Sequence, residues 1–536
     1  MSALQPQPRG GALLRLFSGR VRLAYVVAVA LFLGSVAQFH HRDTGFSSLI
    51  SIGDILDGTK VTALRTVPHF VYQGSAGYDG AYYVQLALHP TLDNPELTKA
   101  IDNLPYRAKR ILFCWSAWAL GLGQPEWIVQ AHALLNVFCW LALAWLLLRW
   151  FPPDHWENFV RWAAVLFSHG LIMSVRHSLV DGPSLLLVAL ALRWLETGRG
   201  VAGVVTLALA GLGKETNLLA SAAVPVQWNA PRTWLRPAAT VALIALPLLL
   251  WMGYVRWKFG PAEDPGLGNF TLPLAGYAEK FMATVRDVIS PSAGSVHWAT
   301  FAALVALSVQ WVFFVVVRRP GDRWWRVGAA FALMMAFLAT PVWEGYPGAA
   351  TRVLLPMTLA FNLLLPRGVR WLPVLLAGNL TVVASIHEFS PPHDFYTVRG
   401  EPTAEAALRV TTGPGWHGAE HEGSNRWRWS GGRAELRLAN TGAGHLRVVV
   451  QGRVSAAVND RKISVSRGEG LLWADEVGPR HATLALGFDL PPGETTLVFS
   501  TDQPAEKVGT DPRALAYCVT NLEIVVTAVA RPRSSP

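Results

Sequence analysis

Charge is what this sequence has least of. Of its 536 residues, 15% are charged and 51% are hydrophobic, and the mean hydropathy is +0.30. Soluble domains carry roughly 25% charged residues. A composition this poor in charge excludes an ordinary globular protein and points to a polytopic membrane protein. Cysteine is almost as scarce. Cys114, Cys139 and Cys518 are the only three, two of them inside apolar runs, so they imply no disulfide framework. There is no P-loop, no dinucleotide fingerprint and no Gly-x-Ser-x-Gly. No His/Cys/Asp cluster has metal-ligand spacing. Acidic residues are outnumbered by basic ones, 36 to 46, for a formal charge of +10. From Asp394 onward the two signs balance. The surplus therefore lies in the hydrophobic part, where loop Lys and Arg set orientation, and nothing argues for nucleic acid.

What is abundant is apolar sequence. Arg15, Arg20 and Arg22 precede the first run, Leu23–Val36. No small-residue cleavage site clearly follows, so it reads as an uncleaved signal anchor with its N-terminus inside. Residues 39–108 form a long first outer loop carrying Asp54, Asp57, Asp79 and Asp102. A connection this long in a compact bundle is usually functional. Further runs are 110–123, 127–149, 160–175, 182–196, 201–213, 216–230, 236–257, 297–317, 325–342, 352–366 and 371–387. Several fall short of the roughly 20 residues that a straight span needs, so charge must settle the parity. The four arginines in Arg318–Arg326 place that short loop inside. Counting from it puts Trp343–Thr351 outside, Arg367 and Arg370 inside, and the C-terminal domain outside. If 201–213 and 216–230 are two short helices meeting at Lys214-Glu215, that pair lies outside with Asp181, and 110–123 lies along the interface. The expectation is about eleven spans. The rival count crosses at 110–123 and makes 201–230 one helix, which buries Lys214 and Glu215 in mid-bilayer at high cost.

After Phe389 the hydropathy drops. Residues 391–400 read as a linker and 401–530 as an all-β sandwich of about eight strands, with 531–536 a frayed tail. The strand signals are alternating stretches such as Ala434–Leu438, His445–Val450, Ala482–Leu486, Thr495–Phe499 and Asn521–Val526. The 23 tryptophans suit interfacial belts and sugar contacts alike. In the β domain, Trp416, Trp429 and Trp473 could present aromatic faces to sugars, with one of Trp427 and Trp429 expected in the core.

Ionisable groups among membrane helices are functional candidates by default. Asp79 stands in Gly77-Tyr78-Asp79-Gly80-Ala81-Tyr82-Tyr83, where glycines let the backbone turn and present the carboxylate, while Tyr78 and Tyr82 can stack on a sugar or sit at the interface. By the charge count Asp79, His177, Asp181, Lys214, Glu215, Glu344 and Arg352 share one side of the membrane. Lys214 and Arg352 could neutralise a phosphate, one as a point charge and one as a fork, and a carboxylate could take the proton of an attacking hydroxyl. Each also has a plain structural reading. Asp79 could form an Asx turn before the helix Tyr82–Leu88, Lys214 and Glu215 could pair with each other, Asp181 could be an N-cap, and Glu344 could pair with Arg352.

Gly77-Tyr78-Asp79-Gly80, His177-Ser-Leu-Val-Asp181 and Gly211-Leu-Gly-Lys214-Glu215-Thr216 together resemble the GT-C superfamily of membrane glycosyltransferases, in particular its protein mannosyltransferase-like and aminoarabinose transferase-like members. The C-terminal part, with Asp511-Pro-Arg513-Ala-Leu-Ala-Tyr517, resembles carbohydrate-binding-like sandwiches appended to such proteins. The resemblance implies a GT-C-like membrane domain over 1–390 in a cytoplasmic (inner) membrane, with the β domain extracytoplasmic. It implies transfer of a sugar from a polyprenyl-phosphate carrier to an outer-face glycan, lipid or protein. Asp79 would be the base or acceptor-orienting group, and Lys214 and Arg352 would contact the carrier phosphate. The clearer metal users of the family carry paired acids. No Asp-x-Asp or Glu-x-Asp stands here, so no metal or other cofactor is assigned. Two other classes use the same features: a lipid-sugar transporter, since broken helices with buried charge suit transport too, and a non-catalytic glycan-binding scaffold.

Overall fold

The computed structural model describes residues 11–528, except 73–74, 226–233, 261–265, 292, 393, 423–424, 510 and 512. The expected tail 531–536, the first ten residues and the 226–230 end of one apolar run lie outside the described residues. The chain divides into two compact units. One comprises the chain up to Ile52, Leu56–Phe70 and Gly77–Pro391; the other comprises Gly53–Ile55, Val71–Ala76 and the chain from Pro392.

The first unit is helical. Among the described residues four helices are long and apolar enough to cross a membrane: Gly19–Ala37, Pro125–Leu147, Leu235–Phe259 and Ser295–Val316. A fifth span arises if Trp156–Leu166 and His169–Arg176, bent by 46°, are taken together. The expected eleven spans are therefore corrected to four or five. Hydropathy counts apolar runs, but a span also needs an unbroken backbone ladder of about 20 residues. The run 110–123 holds only the helix Leu112–Leu120. The run 201–213 is the helix Gly200–Gly213, which breaks at an extended Lys214 and continues as a 3-10 helix Glu215–Ala223. Proline and glycine interrupt the later runs, giving Leu355–Leu364, Leu372–Ala377 and Thr381–Glu388.

The long first loop is not an open loop. It folds into short helices, including Asp79–Leu88 and Leu104–Ala108, over a core of its own that contains Ile50, Leu64, Tyr83, Val84 and Leu104. Ile128 and Val129, from the helix Pro125–Leu147, belong to that core. This packing fixes the start of the helix Asp79–Leu88. A Cβ on Gly80 would stand 2.0 Å from the carbonyl oxygen of His177, so only glycine fits there.

The second unit is β-rich, with two sheets around one apolar core. The five-stranded sheet runs in the order Gly470–Val477, Arg461–Arg467, Gly493–Thr501, Arg433–Asn440, Leu408–Thr412. The six-stranded sheet has the order Ala482–Leu490, Leu446–Ala456, Tyr517–Ala528, Asn425–Ser430, Trp416–Glu422, and Tyr396–Gly400 pairs in parallel with Tyr517–Ala528. Among the described residues the two sheets hold eleven strands, and Glu506–Lys507 pairs with Ala514–Leu515 beside them, against the expected eight or so; the alternating stretches read from sequence missed the interior strands Arg461–Arg467 and Asn425–Ser430 as well as several edge strands. Along Arg433–Asn440, alternate residues Ala434, Leu436 and Leu438 are fully buried.

The tryptophan expectations need correction. Trp416 is a core residue, with ring centroids 4.9 Å from Phe395 and 5.4 Å from Phe499, and its Nε1–H donates to the Glu435 carbonyl at 2.8 Å. It offers no face to a sugar. Trp427 and Trp429 are both half-buried while the intervening Arg428 is buried. Residues two apart share a face in a strand, so neither tryptophan is the core partner of the other. Trp473 is half-buried beside a bulge between Leu471 and Trp473.

Candidate functional site

A cavity of about 930 Å³ lies in the first unit. One part of its lining is charged: Asp79, Arg107, Arg110, Asp181, Lys214, Glu215 and Arg352. Another part is apolar and comes from one face of the helix Arg323–Phe337: Ala330, Leu333, Met334 and Phe337, at helical spacing. Leu333 is 63% exposed, so this wall is not closed over by protein.

The charged groups arrive on separate elements. Asp79 is the first residue of the helix Asp79–Leu88, where the helix dipole favours a carboxylate. It makes no capping turn. Oδ1 lies 3.0 Å from Arg107 Nη2, and Oδ2 lies 3.9 Å from Arg352 Nη1. Asp181 opens the helix Asp181–Glu196, yet its carboxylate also turns away from the backbone. It pairs with Lys214 and stands 3.6 Å from Arg352 Nη1. The expectation that Lys214 and Glu215 pair with each other is overturned. The helix break points them to different partners, Lys214 to Asp181 and Glu215 to Arg110. The Arg110–Glu215 pair is a two-pronged fork at 2.6 and 2.9 Å, and Arg110 also donates to the hydroxyls of Tyr83 at 3.0 Å and Tyr106 at 2.8 Å. Glu344 lines the cavity but is exposed, and Arg352 pairs with the two aspartates instead of with it.

Arg110 uses all three of its nitrogens on Glu215, Tyr83 and Tyr106. Arg107 forks onto Asp102 at 2.8 and 3.0 Å and lies 5.0 Å above the Tyr82 ring. Burial disfavours its charge, but Asp102 and Asp79 more than offset this, so Arg107 is held more firmly protonated than usual. Arg352 is different. A guanidinium has five donors. The Arg352 side chain donates to the Tyr78 hydroxyl at 3.2 Å, its two ion pairs are longer than hydrogen bonds, and its buried Nε has no partner. Burial raises the Tyr78 hydroxyl above its ordinary pKa, which keeps it neutral.

The sequence-derived residues thus divide. Tyr78, Asp79, Asp181, Lys214, Glu215, Glu344 and Arg352 line one cavity. Tyr82 does not; helical spacing sends the buried Tyr83 inward and Tyr82 beneath Arg107. His177 stands behind the lining, its ring stacked on Tyr78 with centroids 4.4 Å apart. Sequence reasoning missed Arg107, Arg110, Tyr83 and Tyr106. The available signal was the basic, aromatic stretch Tyr106-Arg107-Ala108-Lys109-Arg110 just before an apolar run. Among the described residues, no three His, Cys, Asp or Glu side chains group as metal ligands.

No family profile and no curated protein matches the sequence. Among solved structures, the chain is similar to the arabinosyltransferase EmbB of Mycobacterium smegmatis, at 11% identity over 98% of this chain and 66% of that one, with a TM-score of 0.24. The C-terminal carbohydrate-binding module of the laminarinase LamC from Zobellia galactanivorans matches 23% of this chain and 94% of its own, at 13% identity and a TM-score of 0.15. A family 29 carbohydrate-binding module matches 23% of this chain and 92% of its own, at 15% identity and a TM-score of 0.12. At these TM-scores the likenesses carry no weight for mechanism.

Proposed function

We propose that this chain is a membrane glycosyltransferase that moves a sugar from a polyprenyl-phosphate carrier to a glycan, lipid or protein acceptor at the outer face of the cytoplasmic membrane. The observation that supports this most directly is Arg352: a half-buried cation that lines an amphiphilic cavity beside two carboxylates, its Nη1 held by them only at 3.6 and 3.9 Å. A carrier phosphate would accept from that guanidinium, and the apolar face of Arg323–Phe337 would receive the prenyl chain.

The reaction is a single displacement. The acceptor hydroxyl oxygen forms its bond to the anomeric carbon as the bond from that carbon to the phosphate oxygen breaks. The electron pair leaves on the phosphate, where Arg352 and Lys214 take up the charge. The hydroxyl proton passes to Asp79, whose carboxylate lines the same cavity. A lipid phosphate is a good leaving group, so no strong general acid is needed. The C-terminal sandwich would hold glycan through the half-buried Trp429 and Trp473.

Asp79→Asn should fold as the wild type does and release no polyprenyl phosphate from any carrier sugar that the wild type cleaves. Carrier cleavage by that variant at the wild-type rate would refute the assignment. A transporter would move the carrier intact, and a scaffold would leave it whole.

A further inference from the structure

We propose that Glu388 is a positioning residue for the phosphate end of the cavity, acting on Arg352 through His177 and Tyr78; this rests on reading the cavity as a polyprenyl-phosphate site. Glu388 ends the helix Thr381–Glu388, which packs along His169–Arg176. The next residue, Phe389, is clamped by Phe32 and Phe39, with centroids at 5.8 and 5.2 Å, so the helix end is held in place.

The carboxylate faces two imidazoles. Oε1 lies 3.6 Å from His169 Nε2 and Oε2 lies 3.9 Å from His177 Nε2. The orientation of His177 follows from its other nitrogen. Nδ1 is 2.9 Å from Ser51 Oγ, and Ser51 Oγ already accepts an N–H of Arg176 at 2.9 Å. With the hydroxyl proton of Ser51 assigned to Nδ1, the His177 proton sits on Nε2, facing Glu388. The ring so fixed stacks on Tyr78 at an interplanar angle of 28°, and the Tyr78 hydroxyl receives the Arg352 hydrogen bond. A second arm reaches the same place. His169 Nδ1 is 2.8 Å from Thr351 Oγ1, on the residue before Arg352.

Neither histidine lines the cavity, and nor does Glu388. They touch no reacting atom. Their effect is to hold Tyr78, and so Arg352, where the guanidinium keeps donors free for phosphate.

The test is binding of a polyprenyl monophosphate to the full-length protein in detergent, with four-member cycles. Glu388→Ala should weaken binding about tenfold, and Glu388→Gln, which keeps an acceptor for only one imidazole and sets an N–H donor against the other, by an intermediate factor of about threefold. In a Tyr78→Phe background, Glu388→Ala should add less than about threefold, because only the arm through His169 and Thr351 is left. Unchanged affinity in Glu388→Ala, or losses that add in full, would overturn the proposal. If the wild type binds no polyprenyl phosphate, the functional reading fails by itself. The relay is then read from thermal unfolding of the same cycle without ligand, where coupling between positions 78 and 388 supports it and strict additivity removes it.

Discussion

Arg107 holds two aspartates with one guanidinium, and the balance between them sets how tightly Asp79 is held. Its fork onto Asp102 occupies Nε and Nη2, while the same Nη2 reaches Asp79 at 3.0 Å. Asp102 therefore absorbs part of a charge that would otherwise clamp Asp79. Burial tends to raise the Asp102 carboxyl, but its bonds to Arg107 prevail and hold it below its ordinary value. A depressed carboxyl stabilises the fold above the unfolded value of about 4 and loses that contribution as pH falls through the lower folded value. The thermal stability of the wild type should therefore fall modestly below about pH 4. Asp102→Asn should be less stable at neutral pH and flatter in acid. An identical acid limb in the two proteins would show that Asp102 contributes nothing through its charge. The hydrogen-bonding capacity of Arg352, by contrast, could not be read from sequence. Its charge was visible against an apolar background, but its partners stand 171 and 273 positions away, at Asp181 and Asp79.

At the scale of the element, the charged cluster depends on backbones that approach without side chains between them. Gly80 sets the helix Asp79–Leu88 against His177, and Gly170 sets His169–Arg176 against the Thr351 carbonyl, where a Cβ would stand 2.2 Å away. Neither contact yields to a rotamer change, since each obstacle is backbone. Gly80→Ala should cost about 1–3 kcal/mol in unfolding free energy and abolish turnover, because the helix start that carries Asp79 must shift. A variant with normal unfolding and normal turnover would mean that the approach is not needed. Sequence gave good notice of the pieces: an acidic residue among glycines, a second aspartate opening a helix, and a lysine at a helix break. It gave poor notice of where the apolar runs fail as helices. Lys214 was legible as a break because charge is costly inside a run. Gly378 and Asn379 were not, because neither carries a charge, yet they divide Leu372–Ala377 from Thr381–Glu388 and put Glu388 where it is.

The molecule as a whole divides into two units. Every residue that lines the cavity belongs to the first unit, so donor cleavage should not need the β-rich part. The division is not a single cut in the chain, however. Gly53–Ile55 and Val71–Ala76 group with the second unit although they lie far upstream of it. They are ordered against each other, with the Asp54 amide donating to Tyr72 at 3.2 Å and the Ser75 amide to the Asp54 carboxylate at 3.1 Å. Asp54 also bears electrostatically on the buried Arg428, whose nearest carboxylate is Asp394 at 3.3 Å. A fragment comprising 392–536 would leave Arg428 with less compensation for its burial, and a buried cation short of partners destabilises a fold. That fragment should unfold at a lower temperature than the same domain in the intact chain, and Asp54→Asn in the intact chain should shift the domain part of the way there. A chain ending at Pro391 should still release polyprenyl phosphate from a carrier sugar. Loss of cleavage in that truncated chain, with its helical content and thermal transition preserved, would mean that the β-rich unit takes part in the chemistry.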